Sequence, residues 1–585
     1  MKYITAIVLS TLACAQDPVR ISVYATAGGV LKYLARQDSR AKAEAALARL
    51  GVSRIFLEGR RGDESVPPEL LRQLRRYFRS RGIETAGAIA TVPGQSFGVR
   101  QNEGYSWLNY EDPQTRADIT RFFEENAPVF DEIIIDDFYC TGDTSEASQI
   151  ARGGRAWGQY RREMLVGLIE PMMIQPARRA NPRVRLMMKF PQWYDLFDRY
   201  GYEPARMGAA FPVLWAGTEV RNPETQRMGF VAPTEGYVNW SWIRAVNGDK
   251  LHGAWFDHIE CTAQNFVDQA FQSVLAGARE LTLFHLGDVV EGHPGDELLA
   301  GKLPELQQLA RRVQGASRRG VPFYKPVNSP AGDNRFLMDY LVLNGVPVLP
   351  VAEYPAHSAV VFLGVQAAHD ARLEEKIAAH LKRGATVAVT PALLRARPGL
   401  AVMAGVAVSP AAEPERIRQL QAAGGKTVAL SRGLEVDGGL RVVHAQVLLG
   451  CQRAPVLVSR RTGGGTLLVY NLRTFSDADY AQAKELLLPP LKLGLTELPA
   501  EVADRLRAPL LQPLGLRFSA PAGLGLYLLD KGFVVYNFRS AEVEFGLQGV
   551  RHRLAANAWI WNPGRLASPA LTLDENRRTK RQEWR

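Results

Sequence analysis

Two adjacent aspartates, Asp136 and Asp137, end the run Glu132-Ile-Ile-Ile-Asp-Asp-Phe138. Three isoleucines favour a buried strand. Two like charges at its end raise the pKa of one carboxyl, which leaves a protonated acid beside an ionised partner. Cleavage of a glycosidic bond needs that pairing: one carboxylic acid protonates the leaving oxygen while an anion supports the oxocarbenium-like centre. Asp257 closes a second apolar run, Gly253-Ala-Trp-Phe, and is the third candidate catalytic carboxylate. Each has a structural alternative. One Asp of the pair can cap the following loop while the other meets an arginine, and Asp257 can form a salt bridge on a rim.

Other polar and aromatic side chains follow further apolar runs: Glu58, Lys189, Trp193, Tyr194, Trp215, Glu219, His258 and His285, with Trp255 two residues before Asp257. These are read as substrate-binding. Lys189 has the charge to neutralise Asp137 or to contact a sugar hydroxyl. Trp107, Trp193, Trp215, Trp240, Trp242 and Trp255 offer apolar faces on which sugar rings stack, although each also has a core reading. A lone His at a strand end is often a hydrogen-bonded wall residue. No metal-ligand spacing of the H-x-x-E-H or C-x-x-C type occurs, and no phosphate loop of the G-x-x-x-x-G-K-S/T type. No metal and no cofactor is expected.

These residues sit in a repeated strand–helix pattern. Strands are predicted at Ile21–Ala25, Arg54–Leu57, Glu84–Ala90, Glu132–Ile135, Val184–Met188, Pro212–Trp215, Gly253–Phe256 and Glu280–Phe284. Helical patterns lie between them at Ala41–Leu50, Pro68–Arg81, Gln114–Glu125, Arg155–Ala180 and Gln264–Ala276. Continuous apolar strands separated by helices call for a parallel sheet covered on both faces. Eight such units in this length fit a (β/α)₈ barrel, residues 16–310, and the loops after its strands build the active face. A doubly wound sheet is the alternative, though it usually has fewer strands.

Beyond the barrel, residues 311–490 read as a second α/β domain. Its strands are predicted at Phe323–Val327, Val348–Val351, Ala359–Phe362 and Thr386–Val389, its helix at Ala371–Arg383, and its closing hairpin at Val456–Arg460 and Thr466–Tyr470. Residues 491–575 show short alternating runs expected of a small β-sandwich, and 576–585 form a basic tail.

The first 15 residues have the layout of a secretory signal: Lys2, an apolar run from Ile4 to Leu12, then Ala13-Cys14-Ala15. A secreted or periplasmic chain is expected, without a membrane span, since the run is too short to cross a bilayer. Cys140 and Cys261 each fall four residues after one of the aspartates; a bridge and two buried thiols are both open readings. Lys and Arg number 71 against 60 acids, a formal charge of +11. The arginines are dispersed among acids rather than gathered into a patch, which speaks against nucleic acid as a partner.

In their order along the chain, Asp136-Asp137-Phe138, Phe190-Pro-Gln-Trp-Tyr194, Val213-Leu-Trp-Ala-Gly217 and Ala254-Trp-Phe-Asp257 resemble the barrel of family-84 glycoside hydrolases, the β-N-acetylglucosaminidases. The resemblance implies substrate-assisted hydrolysis by the sugar's own acetamide. Asp136 would then orient the acetamide, Asp137 act as general acid/base and Tyr194 assist. Asp257 would stand where that family binds hydroxyls with Asn. The domain order, a barrel, a flavodoxin-like domain and a small β domain, resembles family-42 β-galactosidases, whose second domain is similar to a glutamine amidotransferase. No Gly-x-Cys-x-Gly nucleophile accompanies Cys451, so the middle domain is expected to be structural, or to join copies of the chain into a homo-oligomer. Family 42 carries glutamates after strands four and seven, where this chain carries aspartates. The expected function is hydrolysis of oligo- or polysaccharide glycosides. A barrel that binds carbohydrate without cleaving it is the alternative.

Overall fold

The computed structural model describes residues 17–222, 232–411, 413–421, 426–451, 454–483 and 494–564. The expected leader, 1–15, and the basic tail, 576–585, lie outside the described residues.

Eight parallel strands close on themselves: β1 (Arg20–Ala25), β2 (Arg54–Arg61), β3 (Glu84–Ala90), β4 (Glu132–Ile135), β5 (Arg185–Phe190), β6 (Val213–Gly217), β7 (Leu251–Asp257) and β8 (Glu280–Phe284). Each pairs with its neighbour in sequence, and β1 pairs with both β2 and β8, which leaves no edge. The expected (β/α)₈ barrel is the observed one, and all eight strands lie where the apolar runs placed them. Alternation sorts the side chains. Tyr24, Phe56, Ala86, Ala88, Ile134, Met187, Trp215 and Trp255 fill the barrel interior as one cluster, while Ile55, Leu57, Ile133 and Ile135 face the helices.

The helices match the amphipathic stretches within a few residues, at Gln37–Arg49, Pro68–Arg79, Pro113–Asn126 and Ala263–Ala276. The long helix expected over Arg155–Ala180 begins at Trp157 and widens into a π turn at Glu170–Ile174. Pro171 and Pro176 each lack an N–H there, and the wider turn accommodates the missing bonds.

In the middle region, Val348–Val351, Val321–Tyr324, Val360–Leu363, Thr386–Val389 and Gly465–Tyr470 form a parallel sheet in that order. Four antiparallel strands, Pro455–Thr462, Gln446–Gly450, Pro414–Gln421 and Thr427–Asp437, extend it. The last three were not expected, because their alternating polar faces carry little apolar signal. The C-terminal part is two small antiparallel sheets preceded by a helix at Ala500–Leu511. One sheet borrows Arg318–Arg319 from just past the barrel, at the start of the middle region, so this part begins in space before it begins in sequence. It docks on the barrel helix Ala263–Ala276, where Tyr527 donates to Gln272 and Tyr536 to Asp268, both at 2.6 Å. None of the described helices is long and apolar enough to cross a membrane.

Candidate active site

Strand periodicity aims the acids at the barrel mouth. Residues two positions past an inward side chain also point inward, so Phe56 leads to Glu58, Ile134 to Asp136, Met187 to Lys189 and Trp255 to Asp257. The ladder of β4 runs on through the Asp136 N–H, which donates to Ile89 O at 2.9 Å. The chain then turns. The Asp137 N–H donates to Asp136 Oδ1 at 2.8 Å, and the Asp137 carbonyl accepts from the Tyr202 hydroxyl. Both carboxylates therefore reach the same pocket, although adjacent strand residues face opposite ways.

That pocket has a volume of about 480 Å³. Its floor carries Asp136, Asp137, Lys189, Glu219, Asp257 and Trp255, and its walls include Trp107, Phe138, Gln192 and Trp193. A larger groove of about 890 Å³ lies elsewhere, between Ala500–Leu511 and the small C-terminal strands, remote from these residues.

Lys189 organises the floor. Its Nζ is 2.7 Å from Asp137 Oδ2, 2.9 Å from Glu219 Oε1 and 3.5 Å from Asp136 Oδ1, and it sits 4.4 Å from the centroid of the Trp255 ring. Arg61 adds a second cation, 2.8 Å from Asp136 Oδ2 and 2.9 Å from Glu58 Oε1. The two aspartates are thereby driven apart. Burial raises Asp137, the negative charges of Asp136 and Glu219 add to it, and its carboxyl rises to about 7 against the pull of Lys189. Burial acts on Asp136 too, but Lys189, Arg61 and the Asp137 N–H outweigh it and hold that carboxyl below the usual range. Asp137 is also the most open of the floor carboxylates, 14% exposed against 2% for Asp136. The floor thus sets a more accessible carboxyl with a raised pKa beside one that two cations hold low.

Asp257 lines the same floor, with both oxygens paired to Arg221 at 2.6 and 2.8 Å. Its structural alternative, a salt bridge, is present, but it is buried in the floor rather than set on a rim. Burial nevertheless raises its pKa.

Several substrate-binding assignments are corrected. Glu58 is fully buried beneath the pocket, where it accepts from Tyr24, Arg61 and the Ala27 N–H; it props up Arg61 and does not line the cavity. Tyr194 points away from the mouth and donates to Asp339 of the middle region at 2.9 Å, so it has no sugar to assist. Trp215 is barrel filling, with its indole N–H on Thr282 Oγ1 at 3.0 Å. His258 stacks on Phe266 and meets Asp296 at 2.8 Å, and His285 caps the helix Leu286–Glu291; neither lines the cavity. Trp240 and Trp242 bond carbonyls of Gly253 and Lys325 in the core. Trp107, Trp193 and Trp255 do face the cavity, and the first two lie nearly parallel, centroids 6.2 Å apart. Cys140 and Cys261 are free thiols, so the bridge is ruled out.

Arg61 and Arg221 were missed. Arg61 follows a bulge after Glu58 that breaks strand alternation, and Arg221 lies in a loop. Its one sequence signal is a position two residues beyond Glu219.

Among the described residues no group of His, Cys, Asp and Glu is arranged to hold a metal ion. Residues 10–298, just under half of the chain, match the family model described as "Probable glycosyl hydrolase, catalytic domain", so the barrel segment is similar to glycosyl hydrolase catalytic domains. An uncharacterised protein of Saccharolobus solfataricus is 26% identical over 271 residues, which cover 41% of this chain and 44% of the relative; the match spans less than half the relative's length. Among solved structures, the cold-adapted β-galactosidase from Rahnella sp. R3 superimposes with a TM-score of 0.61 at 12% identity, covering 94% of this chain and 98% of that one. A GH42 β-galactosidase from G. stearothermophilus gives 0.60 at 10% identity, covering 93% and 98%. The α-L-fucosidase isoenzyme 2 from Paenibacillus thiaminolyticus gives 0.60 at 12% identity, covering 91% and 93%. At these identities the likeness is one of fold. It supports the family-42 domain order; the family-84 resemblance finds no support, and Tyr194, to which it gave an assisting role, is engaged with Asp339 instead.

Proposed function

We propose that the protein hydrolyses O-glycosidic bonds of oligo- or polysaccharides, with Asp137 donating the proton to the leaving oxygen and Asp136 as the adjacent fixed anion. The observation that carries this reading is two neighbouring carboxyls on one pocket floor with different partners: Asp136 is held low between Arg61 at 2.8 Å and Lys189 at 3.5 Å, while the more exposed Asp137 is raised to about 7. An acid of that pKa keeps its proton near neutrality yet gives it up readily to an oxygen gaining charge. Trp107 and Trp193 supply apolar faces for a sugar ring beside the acids. The 91–94% coverage by β-galactosidase and α-L-fucosidase folds makes galactosides and fucosides the first substrates to try.

The test is a screen of aryl glycosides, including galactoside, fucoside, arabinoside and N-acetylglucosaminide, with Asp137→Asn as control. Turnover that the variant loses is the expected result. Glycan binding without turnover by the wild type would establish a non-catalytic barrel instead. Export rests on the leader at 1–15 alone, and a mature N-terminus at Gln16 in secreted material checks it.

A further inference from the structure

Two carboxylates besides the aspartate pair line the pocket, Glu219 and Asp257, and their partners differ. Asp257 is saturated: Oδ1 accepts from Arg221 at 2.6 Å and from the Ile259 N–H at 3.0 Å, and Oδ2 accepts from Arg221 at 2.8 Å. Asp136 is committed as well, Oδ2 to Arg61 and Oδ1 to the Asp137 N–H, both at 2.8 Å. Glu219 is anchored by Oε1 alone, to Lys189 at 2.9 Å. Its Oε2 is buried and has no hydrogen-bond partner among the described residues. That oxygen lies against Gly217, where a Cβ would stand 2.3 Å from it, so the glycine gives Glu219 its room.

The placement relative to Asp137 is the second observation. One ammonium, Lys189 Nζ, touches Asp137 Oδ2 at 2.7 Å and Glu219 Oε1 at 2.9 Å. Two legs of that length hold the two oxygens bound to Lys189, Asp137 Oδ2 and Glu219 Oε1, at a separation at most comparable to the ~5–5.5 Å of carboxyl pairs in retaining glycosidases and short of the ~6.5–9.5 Å that leaves room for an attacking water.

We infer that Glu219 is the nucleophile of a two-step, configuration-retaining hydrolysis in which Asp137 is acid and then base, and Asp257 only positions Arg221. The inference rests on the glycoside hydrolase reading above. In the first step a Glu219 carboxylate oxygen bonds to the anomeric carbon as the glycosidic C–O bond breaks. The leaving oxygen takes that electron pair and the Asp137 proton. In the second step ionised Asp137 takes a proton from water, whose oxygen bonds to the anomeric carbon. The ester bond to Glu219 breaks, its electron pair returns to the carboxylate, and the sugar leaves with its original configuration. Burial raises the Glu219 carboxyl, and Lys189, which stays charged throughout, opposes that rise from 2.9 Å away.

Three measurements on the full chain test this. Proton NMR of freshly released sugar from an aryl glycoside gives the anomer formed first; retention is expected and inversion overturns the inference. Incubation with the 2,4-dinitrophenyl 2-deoxy-2-fluoroglycosides of galactose, fucose and arabinose, followed by peptide mapping, should place the adduct on Glu219. An adduct on Asp136 or Asp257 overturns it. Glu219→Ala should lose several orders of magnitude in kcat, with azide restoring turnover as the glycosyl azide; azide rescue of Asp257→Ala instead would overturn it. Glu219→Gln, which keeps the volume and the contact with Lys189, guards against misfolding and should melt like the wild type while remaining inactive. No turnover of any aryl glycoside by the wild type defeats the underlying reading, whereas turnover with inversion or a misplaced adduct defeats the nucleophile alone.

Discussion

The hydroxyl of Tyr194 donates to Asp339 Oδ1 at 2.9 Å, fastening the loop after β5 to the middle domain. One residue on, Asp195 accepts from Lys325 at 3.0 Å and from the Phe336 N–H at 2.8 Å. One residue back, Trp193 is a wall of the pocket. The middle domain thus holds that wall from behind. Asp339 is fully buried, and burial raises its pKa well above the usual carboxylate value. Tyr194→Phe removes its partner and should cost about 1–3 kcal/mol of stability, the range for leaving a buried polar group unpaired. Urea unfolding measures this, and kcat on an aryl glycoside should change far less than for a pocket variant.

Asp137→Asn keeps the shape of the side chain but cannot donate a proton of comparable acidity. kcat is expected to fall about 10²–10⁴-fold while the fold survives. Steady-state kinetics and circular dichroism check the two halves; full activity in the variant would remove Asp137 from the mechanism.

The pH profile follows from the same carboxyl. Asp137 must be protonated to act, and its pKa is raised to about 7, so kcat/KM should decline as pH rises through that value. Lys189 works to lower this pKa. Lys189→Met should therefore move the basic limb to higher pH, along with a loss of rate from misplacing Glu219. A limb that stays put would show that another group controls it.

Asp268 reports on the contact between barrel and C-terminal sheet. Burial raises its pKa to about 7, opposed by the bonds from Tyr536 and Gln264. A carboxyl whose folded pKa exceeds its unfolded value binds its proton more tightly when folded, so its contribution to stability falls as pH rises from about 4 to about 7. The full span is up to about 4 kcal/mol. Asp268→Asn keeps an acceptor for Tyr536 but carries no charge. Its Tm advantage over the wild type should grow across that window and level off above it.

Much of this was legible in the residues themselves. Eight apolar runs with helices between them called for a parallel sheet, because strands apolar on both faces must be covered on both, and their number favoured a closed barrel over a doubly wound sheet; the Asp136-Asp137 doublet marked where two carboxyls meet. Strand alternation from Ile134, Met187 and Trp255 also fixed which acids and which lysine face the mouth. Depth and partners were not legible. Glu58, Tyr194 and Trp215 occupy strand ends as plausible as those of Asp137 and Glu219, yet one supports Arg61, one binds the middle domain and one fills the barrel. Alternation is a local property of the backbone and can be counted along the sequence. The cations that settle each carboxylate, Arg61 on Asp136, Lys189 between Asp137 and Glu219, and Arg221 on Asp257, arrive from bulged strands, neighbouring strands and loops tens of residues away in most cases. Only closure of the barrel brings them within reach, and charges interact through space rather than along the chain.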